Sequence, residues 1–149
     1  MQQRFCFALQ VMVMGFAERM HRLHHMDKEM VDAIRPGDVA DFLNSGLGMR
    51  MRAASFSGTL FREQPFVIGI DEDDDMILVQ GIIDAYFTED GKITVVDYKT
   101  DRVDDPAMLV NRYKTQLEYY KMALERITHL PVASMTIYST CLKQEVNIG

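Results

Sequence analysis

One dipeptide, Asp90-Gly91, constrains the fold of this chain more than any other feature of its sequence. It separates two segments rich in apolar residues, at positions 76–87 and 93–99. Asp-Gly between two such segments is among the strongest local signals for a β-hairpin, because both central positions of the tight turn require a positive φ angle. The sequence therefore predicts two strands joined by a two-residue turn.

The register of this hairpin gathers three charged side chains on one face of the sheet. If Glu89 faces Lys92 across the turn, counting outward places Asp84 opposite Asp97. Side chains on a strand point to alternate faces, so Lys99 shares the face of Asp97. Apolar neighbours on both faces indicate that these are central, buried strands.

Two opposed carboxylates in buried strands are costly unless something binds between them. Like charges directly opposite destabilise a strand pair, and a buried carboxylate needs a partner or a proton. Asp84 and Asp97 are therefore predicted to hold a hard cation such as Mg²⁺, which favours oxygen ligands. Lys99 would supply positive charge to a phosphate, and we expect it to need no ion-pair partner for folding. The alternative is that Asp97 and Lys99 form a solvated pair while Asp84 lies at a bulge.

A long helix and a further strand are predicted to follow the hairpin. The pair Asp105-Pro106 suits the N-cap and first position of a helix, which is predicted to run to residue 128 on its apolar stripe. Gln116 is the polar member of that stripe, so its amide needs a partner, either in a site beside the sheet or on nearby backbone. Residues 133–142 are predicted to form a strand that pairs in parallel with an earlier one.

The remaining predicted elements are shorter and are bounded by Gly and Pro. They are helices over residues 39–44 and 49–54, strands over residues 59–64 and 66–70, and an edge strand over residues 143–148. Asp38 is expected to cap the first of these helices. Pro65 lacks a backbone donor, so it is expected to mark an irregularity or an edge position between the two strands.

The N-terminal residues 3–30 contain no Pro and one Gly and are predicted to be helical. His21 and His25 are four residues apart and so share one face of that helix. A zinc pair at this spacing needs further ligands, and surface histidines on a polar face are the simpler interpretation. The apolar stretch at residues 5–16 lacks a signal-peptide cleavage site, so it is expected to pack against other protein.

Composition excludes several classes of function. The net charge of −6 argues against broad affinity for DNA from charge alone. Cys6 and Cys141 are the only cysteines, so a disulfide framework is excluded, and a reducing cytoplasm is the expected location. No apolar run reaches transmembrane length. The acidic run at residues 71–75 lacks the EF-hand spacing and is predicted to be a solvated hairpin loop.

Several of these motifs together resemble a known family. Asp84, the run Asp97-Tyr98-Lys99 and the spacing Gln116-x-x-x-Tyr120 resemble the PD-(D/E)XK nuclease superfamily in its RecB-like branch. The amino-acid sequence at residues 62–66, 80–84 and 96–103 is also similar to that of the C-terminal nuclease domains of the AddA type of helicase–nuclease. Asp-x-Lys alone is a weak motif, whereas the ordered set at these spacings is specific. The resemblance covers residue 42 to the C-terminus well and the preceding residues loosely.

The resemblance implies an α/β fold with a restriction-endonuclease-like mixed central β-sheet, flanking α-helices and an N-terminal helical segment. It implies a single domain over residues 1–149. The mainly helical part would cover residues 1–58, and the sheet-containing catalytic core would cover residues 59–149.

The implied activity is that of a metal-dependent DNA nuclease, an exonuclease on single-stranded DNA produced by an associated helicase motor, in double-strand break repair and recombination. Mg²⁺ is the implied cofactor, with Mn²⁺ as a substitute, and the missing four-cysteine set implies no iron–sulfur cluster. The implied partners are the helicase portion of the same longer polypeptide and a second, AddB-like protein, with no membrane. The alternative is a catalytically inactive nuclease-fold module that binds DNA or docks a partner protein.

The resemblance also implies roles for residues around the Asp-x-Lys motif. Asp84 and Asp97 would hold the cation together with the backbone carbonyl of Tyr98. Lys99 would stabilise negative charge in the transition state or orient the attacking water.

Two further parts of the family pattern lie on predicted helices. RecB-like nucleases share a helix that carries Gly-x-x-x-His, whose histidine joins the metal site. In this chain Gly15 is followed four residues later by Arg19 and not by a histidine. The sequence around His21 is more similar to the family, so the resemblance implies His21 as the metal ligand. Gln116 and Tyr120 resemble the Gln-x-x-x-Tyr motif associated with the DNA strand beside the metal.

Overall fold

The computed structural model describes residues 28, 35–72 and 75–149. The chain forms two compact units, Met1–Met49 and Arg50–Gly149. No helix in the described ranges is long and apolar enough to cross a lipid bilayer. The single domain predicted over residues 1–149 stays a prediction.

Three sequence-based predictions fall wholly or partly on residues that the structure does not describe. The helix predicted over residues 3–30 lies outside the described ranges except at residue 28. His21 lies outside them, so its role as a metal ligand stays a prediction. The acidic run at residues 71–75 lies only partly within them.

Two short helices precede the first strand in the chain: α1 spans Pro36–Asn44 and α2 spans Gly46–Phe56. The predicted cap at Asp38 is wrong, because α1 begins at Pro36, where the fixed φ of proline suits the first turn of a helix. The hydroxyl Oγ of Ser45 accepts a hydrogen bond from the backbone N–H of Gly48 at 3.0 Å, which satisfies an N-terminal donor of α2. Both helices are longer than their apolar spacing predicted.

The sheet has five strands in the order β1-β2-β3-β4-β5. They are β1 Leu60–Glu72, β2 Asp75–Glu89, β3 Lys92–Lys99, β4 Val132–Ser139 and β5 Gln144–Asn147. The β3–β4 pair is parallel, and the other three neighbouring pairs are antiparallel. This mixed sheet with helices confirms the predicted α/β class.

The central hairpin has the predicted turn and register. Asp90 and Gly91 have φ angles of 49° and 72°, as a two-residue hairpin turn requires. Glu89 pairs with Lys92, and the register continues unchanged to the pair of Ala85 and Val96. Each further step follows from the turn, because a strand cannot slip by one residue without turning its side chains to the other face.

One continuous strand replaces the two that were predicted on either side of Pro65. β1 runs through this residue, which pairs with Ile82. β1 lies at the edge of the sheet, where a missing backbone donor can face away from the ladder. The irregularity lies instead at Glu63, which has a φ of 50° and is skipped by the ladder.

A long helix, α3 at Pro106–Thr128, connects β3 to β4. Asp105 caps it as predicted, since its Oδ1 accepts a hydrogen bond from the N–H of Ala107 at 2.8 Å. The buried residues Leu109 and Leu117 of α3 belong to one hydrophobic cluster with residues of the sheet. The helix therefore covers the sheet face on which the three charged residues were predicted to meet.

The sheet forks at Asp84. From Phe87 to Ala85, β2 pairs with β1 on one side and with β3 on the other. Beyond this point β2 continues with β1 alone, while β3 continues with β4 through the pair of Lys99 and Ser139. Asp84 itself is skipped by both ladders. The fork places Asp84 at the point where the backbone hydrogen bonds between β2 and β3 end.

Candidate active site

The most buried charged group of the sheet is the Asp97 carboxylate. Its residue is 1% exposed, and neither carboxylate oxygen makes a hydrogen bond of normal geometry within the described residues. The ammonium nitrogen Nζ of Lys99 lies 2.6 Å from Oδ2, close enough for an ion pair. Lys99 thus has an ion-pair partner, while the expectation that folding does not depend on one stays a prediction. The solvated-pair alternative is wrong, because both side chains are largely withdrawn from water.

The ionisation of this pair reflects its burial. Burial raises the pKa of Asp97, the charge of Lys99 opposes that rise, and the charge of Asp84 adds to it. Burial alone would lower the pKa of Lys99, but the neighbouring carboxylates of Asp97 and Asp84 outweigh it and raise that pKa. The lysine is therefore a cation at neutral pH, and the three predicted residues interact as one electrostatic group.

Asp84 is oriented by the fork in the sheet. Its Oδ2 accepts a hydrogen bond from the backbone N–H of Tyr98 at 2.9 Å. Because β2 and β3 no longer pair at this level, the carboxylate satisfies a backbone donor that the β2–β3 ladder leaves available. The side chain of Asp84 is thereby held against β3, beside the carboxylate of Asp97.

A second group of residues holds the Lys99 side chain from the helix side. Its Nζ lies 4.3 Å from the ring centroid of Tyr113 on α3, a cation–π contact. The hydroxyl of Tyr113 donates to Asp101, whose two oxygens both lie at 2.9 Å, and Arg112 also donates to Asp101. Asp101, in the loop after β3, thus positions the Tyr113 ring, and that ring in turn positions the Lys99 ammonium.

Sequence reasoning missed this second group. By its spacing Tyr113 belongs to the apolar stripe of α3, and Asp101 is one of several polar residues between β3 and α3, so neither is distinguished by pattern. The signal in the sequence was the position of Asp101, two residues after Lys99, with Arg112 and Tyr113 in the second turn of the helix that follows. The hydrophobic pattern of α3 does not show that Tyr113 contacts the charged side chain of Lys99.

Gln116 and Tyr120 are paired one helical turn apart. Nε2 of Gln116 lies 2.6 Å from the hydroxyl oxygen of Tyr120, to which it donates a hydrogen bond. Tyr120 is buried, and its ring meets that of Phe66 edge-on at a centroid distance of 5.6 Å. Burial raises the pKa of Tyr120, and the negative charge of Asp97 adds to that rise. The structure therefore brings this pair to the border of the charged group.

The side chain of Tyr98 does not join that group. Its hydroxyl lies 3.6 Å from Sδ of Met51. The backbone carbonyl of Tyr98 as a metal ligand stays a prediction.

The donor set fits a hard divalent cation. Asp97 offers two buried oxygens, of which Oδ2 faces the Lys99 ammonium, and Asp84 offers a second carboxylate beside it. Mg²⁺ is commonly bound through one or two carboxylates and keeps several waters. Within the described ranges no group of three or more His, Cys, Asp or Glu side chains surrounds a metal position. Asp84 and Asp97 are therefore the side chains among the described residues that would hold such a cation.

Comparisons with known proteins identify the family to which this chain belongs. The family model of the PD-(D/E)XK nuclease superfamily matches residues 10–147. The chain is 32% identical over 166 residues to an AddA-type ATP-dependent helicase/nuclease of Lachnoclostridium phytofermentans, covering 83% of this chain and 12% of that protein. It is 38% identical over 122 residues to the protein of the same name from Clostridium botulinum, strain Loch Maree, covering 74% of this chain and 9% of that protein.

These relatives are much longer than the match. A third, the protein of the same name from Geobacillus kaustophilus, is 32% identical over 133 residues, which are 76% of this chain and 10% of that protein. The chain thus spans about a tenth of the length of the curated relatives it matches. The family model, in contrast, covers nearly the whole chain, and on that match the chain belongs to the PD-(D/E)XK nuclease superfamily.

Proposed function

We propose that this chain is a Mg²⁺-dependent deoxyribonuclease that cleaves single-stranded DNA. The observation that carries the proposal is the Asp97 carboxylate, which is buried, ion-paired with Lys99 at 2.6 Å and lies beside Asp84. A purely structural role explains this group poorly, because a single lysine faces two neighbouring carboxylates, and like charges held together cost free energy.

Each of the three residues has a distinct task in phosphodiester hydrolysis. Asp84 and Asp97 would hold the cation, and the Tyr98 amide keeps Asp84 oriented for this. When bound, a divalent cation supplies polarisation of a phosphate oxygen and a water of lowered pKa. The ammonium of Lys99 has three N–H donors. It faces Asp97 with one side, and the others can donate to an oxygen of the scissile phosphate or orient a water.

The biological setting belongs to the same proposal. We infer that the domain acts within a longer AddA-type polypeptide, whose motor unwinds duplex DNA, together with an AddB-like protein. Cleavage would then serve double-strand break repair and recombination in the cytoplasm. The support is the similarity to three proteins named as ATP-dependent helicase/nucleases, of which this chain matches about a tenth. Mn²⁺ is expected to replace Mg²⁺, because both accept carboxylate and water ligands.

Incubation of the chain with end-labelled single-stranded DNA, in Mg²⁺ and in EDTA, tests the proposed activity. Cleavage is expected in Mg²⁺ and in Mn²⁺ and is expected to stop in EDTA. Asp97→Asn should abolish it, because the substitution removes a charged ligand. Asp90→Asn is the matched control: it changes an exposed aspartate of the same hairpin, and Asn-Gly keeps the turn type. DNA binding without any cleavage by the parent would favour the inactive, DNA-binding module instead.

A further inference from the structure

A cavity of about 280 Å³ lies between the β1–β2 hairpin and helix α3. Its walls include Phe66, Gly81, Gln116, Tyr119 and Tyr120. Val79 and Gln80 complete the lining, so three of the seven residues are aromatic and two carry a side-chain amide. The volume lies near the lower end of the range of roughly 300–1,000 Å³ that ligand pockets occupy. A cavity of this size and lining suits one flat, partly polar ring system.

The cavity depends on the absence of a side chain at Gly81. A Cβ added there would lie 3.0 Å from Cε1 and 3.3 Å from Cζ of Phe66. Phe66 is buried and held edge-on against Tyr120, so it has little freedom to move aside. Any larger residue at Gly81 would therefore occupy the cavity or displace its aromatic wall.

One polar group in the wall keeps hydrogen-bonding capacity for a ligand. Gln116 uses one N–H of its Nε2 in the bond to Tyr120. Its second N–H and its carbonyl oxygen supply a donor and an acceptor side by side. Such a pair matches the alternating donors and acceptors on the edge of a nucleobase, which proteins read when a base is unstacked. The aromatic walls provide the stacking surface that every base can use.

One wall of the cavity also borders the charged group. Gln116 lies three residues after Tyr113 on the same face of α3, and the ring centroid of Tyr113 is 4.3 Å from Nζ of Lys99. A nucleotide whose base enters the cavity would therefore have its phosphate near Asp97 and Lys99.

We propose that this cavity binds the base of a nucleotide next to the scissile phosphate of single-stranded DNA. The inference rests on the proposed nuclease function for its substrate. It implies that the domain selects unpaired DNA by requiring an unstacked base, which a duplex does not offer. It further implies that Gly81 and Tyr119 determine this selection, although the family resemblance assigns neither of them a role.

Three measurements on the full chain test the cavity. First, single-stranded oligonucleotides that each carry one abasic site, at successive positions, are assayed for cleavage. Cleavage at a given phosphodiester is expected to fall when the abasic site occupies one particular neighbouring position, and to persist when it lies elsewhere. Equal cleavage at every abasic position would overturn the inference.

Second, binding is measured in EDTA by the fluorescence anisotropy of a labelled oligodeoxythymidylate, so that the result does not depend on catalysis. Gly81→Val and Tyr119→Leu are expected to weaken binding roughly five- to a hundredfold, as loss of one stacked base does, whereas Tyr119→Phe should bind like the parent. Gly69→Val is the matched control, because a Cβ at Gly69 meets only the flexible side chain of Met76. Unchanged binding by Tyr119→Leu, a change that suits a helix, would reject the cavity even if Gly81→Val fails to fold.

Third, a 2-aminopurine oligonucleotide separates the two proposals. Its fluorescence should change on binding to the parent and not on binding to Gly81→Val. If the parent cleaves no DNA but shows this change, the proposed nuclease function fails while the cavity stands. If the parent cleaves DNA and shows no change at any labelled position, the cavity inference fails while the nuclease function stands.

Discussion

The two halves of strand β2 have similarly apolar sequences and opposite environments. In the inner half, residues 85–89, Ala85 and Phe87 are 1% and 0% exposed. In the outer half, residues 75–82, Leu78 and Ile82 are 68% and 58% exposed. Within the inner half, residues 85–87 pair with both β1 and β3 and residues 88–89 pair with β3, whereas the outer half pairs with β1 alone. Hydrophobicity alone therefore does not distinguish the halves, whereas pairing with β3 does.

The boundary between the halves is where the chemistry lies. Asp84 stands at the fork, with a buried apolar residue on either side of it. A polar residue deep in the inner half would lack partners, and one in the outer half would be solvated. At the fork, the Asp84 carboxylate accepts a hydrogen bond from the backbone N–H of Tyr98 on β3 and lies near Asp97. A sheet that separates in this way can hold charge in a partly dry setting without leaving its backbone unsatisfied.

The largest expected effect tests the contrast between the halves directly. Phe87→Ala should lower the free energy of unfolding by about 3–5 kcal/mol, since a buried aromatic is replaced by a cavity. Leu78→Ala, in the outer half, should change it by no more than about 0.5 kcal/mol, as exposed substitutions do. Urea titrations followed by circular dichroism measure both. A loss at Leu78 comparable with that at Phe87 would show that the outer half is covered in solution.

The next effect concerns Lys99 and its counterpart at the other end of β3. Lys99→Met should reduce DNA cleavage by about a hundredfold or more, as loss of one preorganised donor does. It should also lower stability, because Asp97 loses its ion-pair partner and must take up a proton. Lys92→Met removes an exposed lysine from the same strand and should retain activity. Rates from a labelled oligonucleotide, set beside thermal melts, separate the two effects; full activity of Lys99→Met would exclude it from catalysis.

The inner half of the hairpin was predictable from local sequence. Asp90-Gly91 selects the turn, the turn sets the register, and the register places Asp84, Asp97 and Lys99 on one face. Each step depends on residues close in the chain. The position of α3 followed equally from its cap and its apolar stripe.

The fork itself was not predictable from those patterns. A Pro at position 65 and apolar alternation gave no sign that β1 would remain continuous while β2 and β3 separate. The contact between Lys99 and Tyr113 depends on how a helix that begins after the loop lies on the sheet. Such contacts between distant elements depend on how the elements pack. The hydrophobic periodicity of a single sequence predicts which face of an element is buried, but not which residues it contacts.

A smaller effect is expected from the residues that position Lys99. Tyr113→Leu removes the ring beneath the ammonium and should slow cleavage roughly two- to thirtyfold, the equivalent of a cation–π contact. Tyr113→Phe keeps the ring and loses only the bonds to Asp101, so it should recover most of that activity. The change should fall on kcat with KM nearly constant, because it acts at the reacting phosphate. A change confined to KM, or equal defects in both variants, would contradict this positioning role.

The smallest expected effect lies at the fork itself. Asp84→Asn removes a negative charge that raises the pKa of Asp97, while its side-chain oxygen can still accept from the Tyr98 amide. In EDTA the variant should be more stable than the parent by at most about 1 kcal/mol, because the ion pair with Lys99 already relieves part of the repulsion. Added Mg²⁺ should stabilise the parent by mass action and the variant much less, since a charged ligand is gone. Thermal melts of both proteins, with EDTA and with excess Mg²⁺, measure the two changes, and Asp90→Asn controls for loss of one charge from the same hairpin. A variant that is less stable than the parent in EDTA and gains as much from Mg²⁺ would show that Asp84 and Asp97 do not share a cation across the fork.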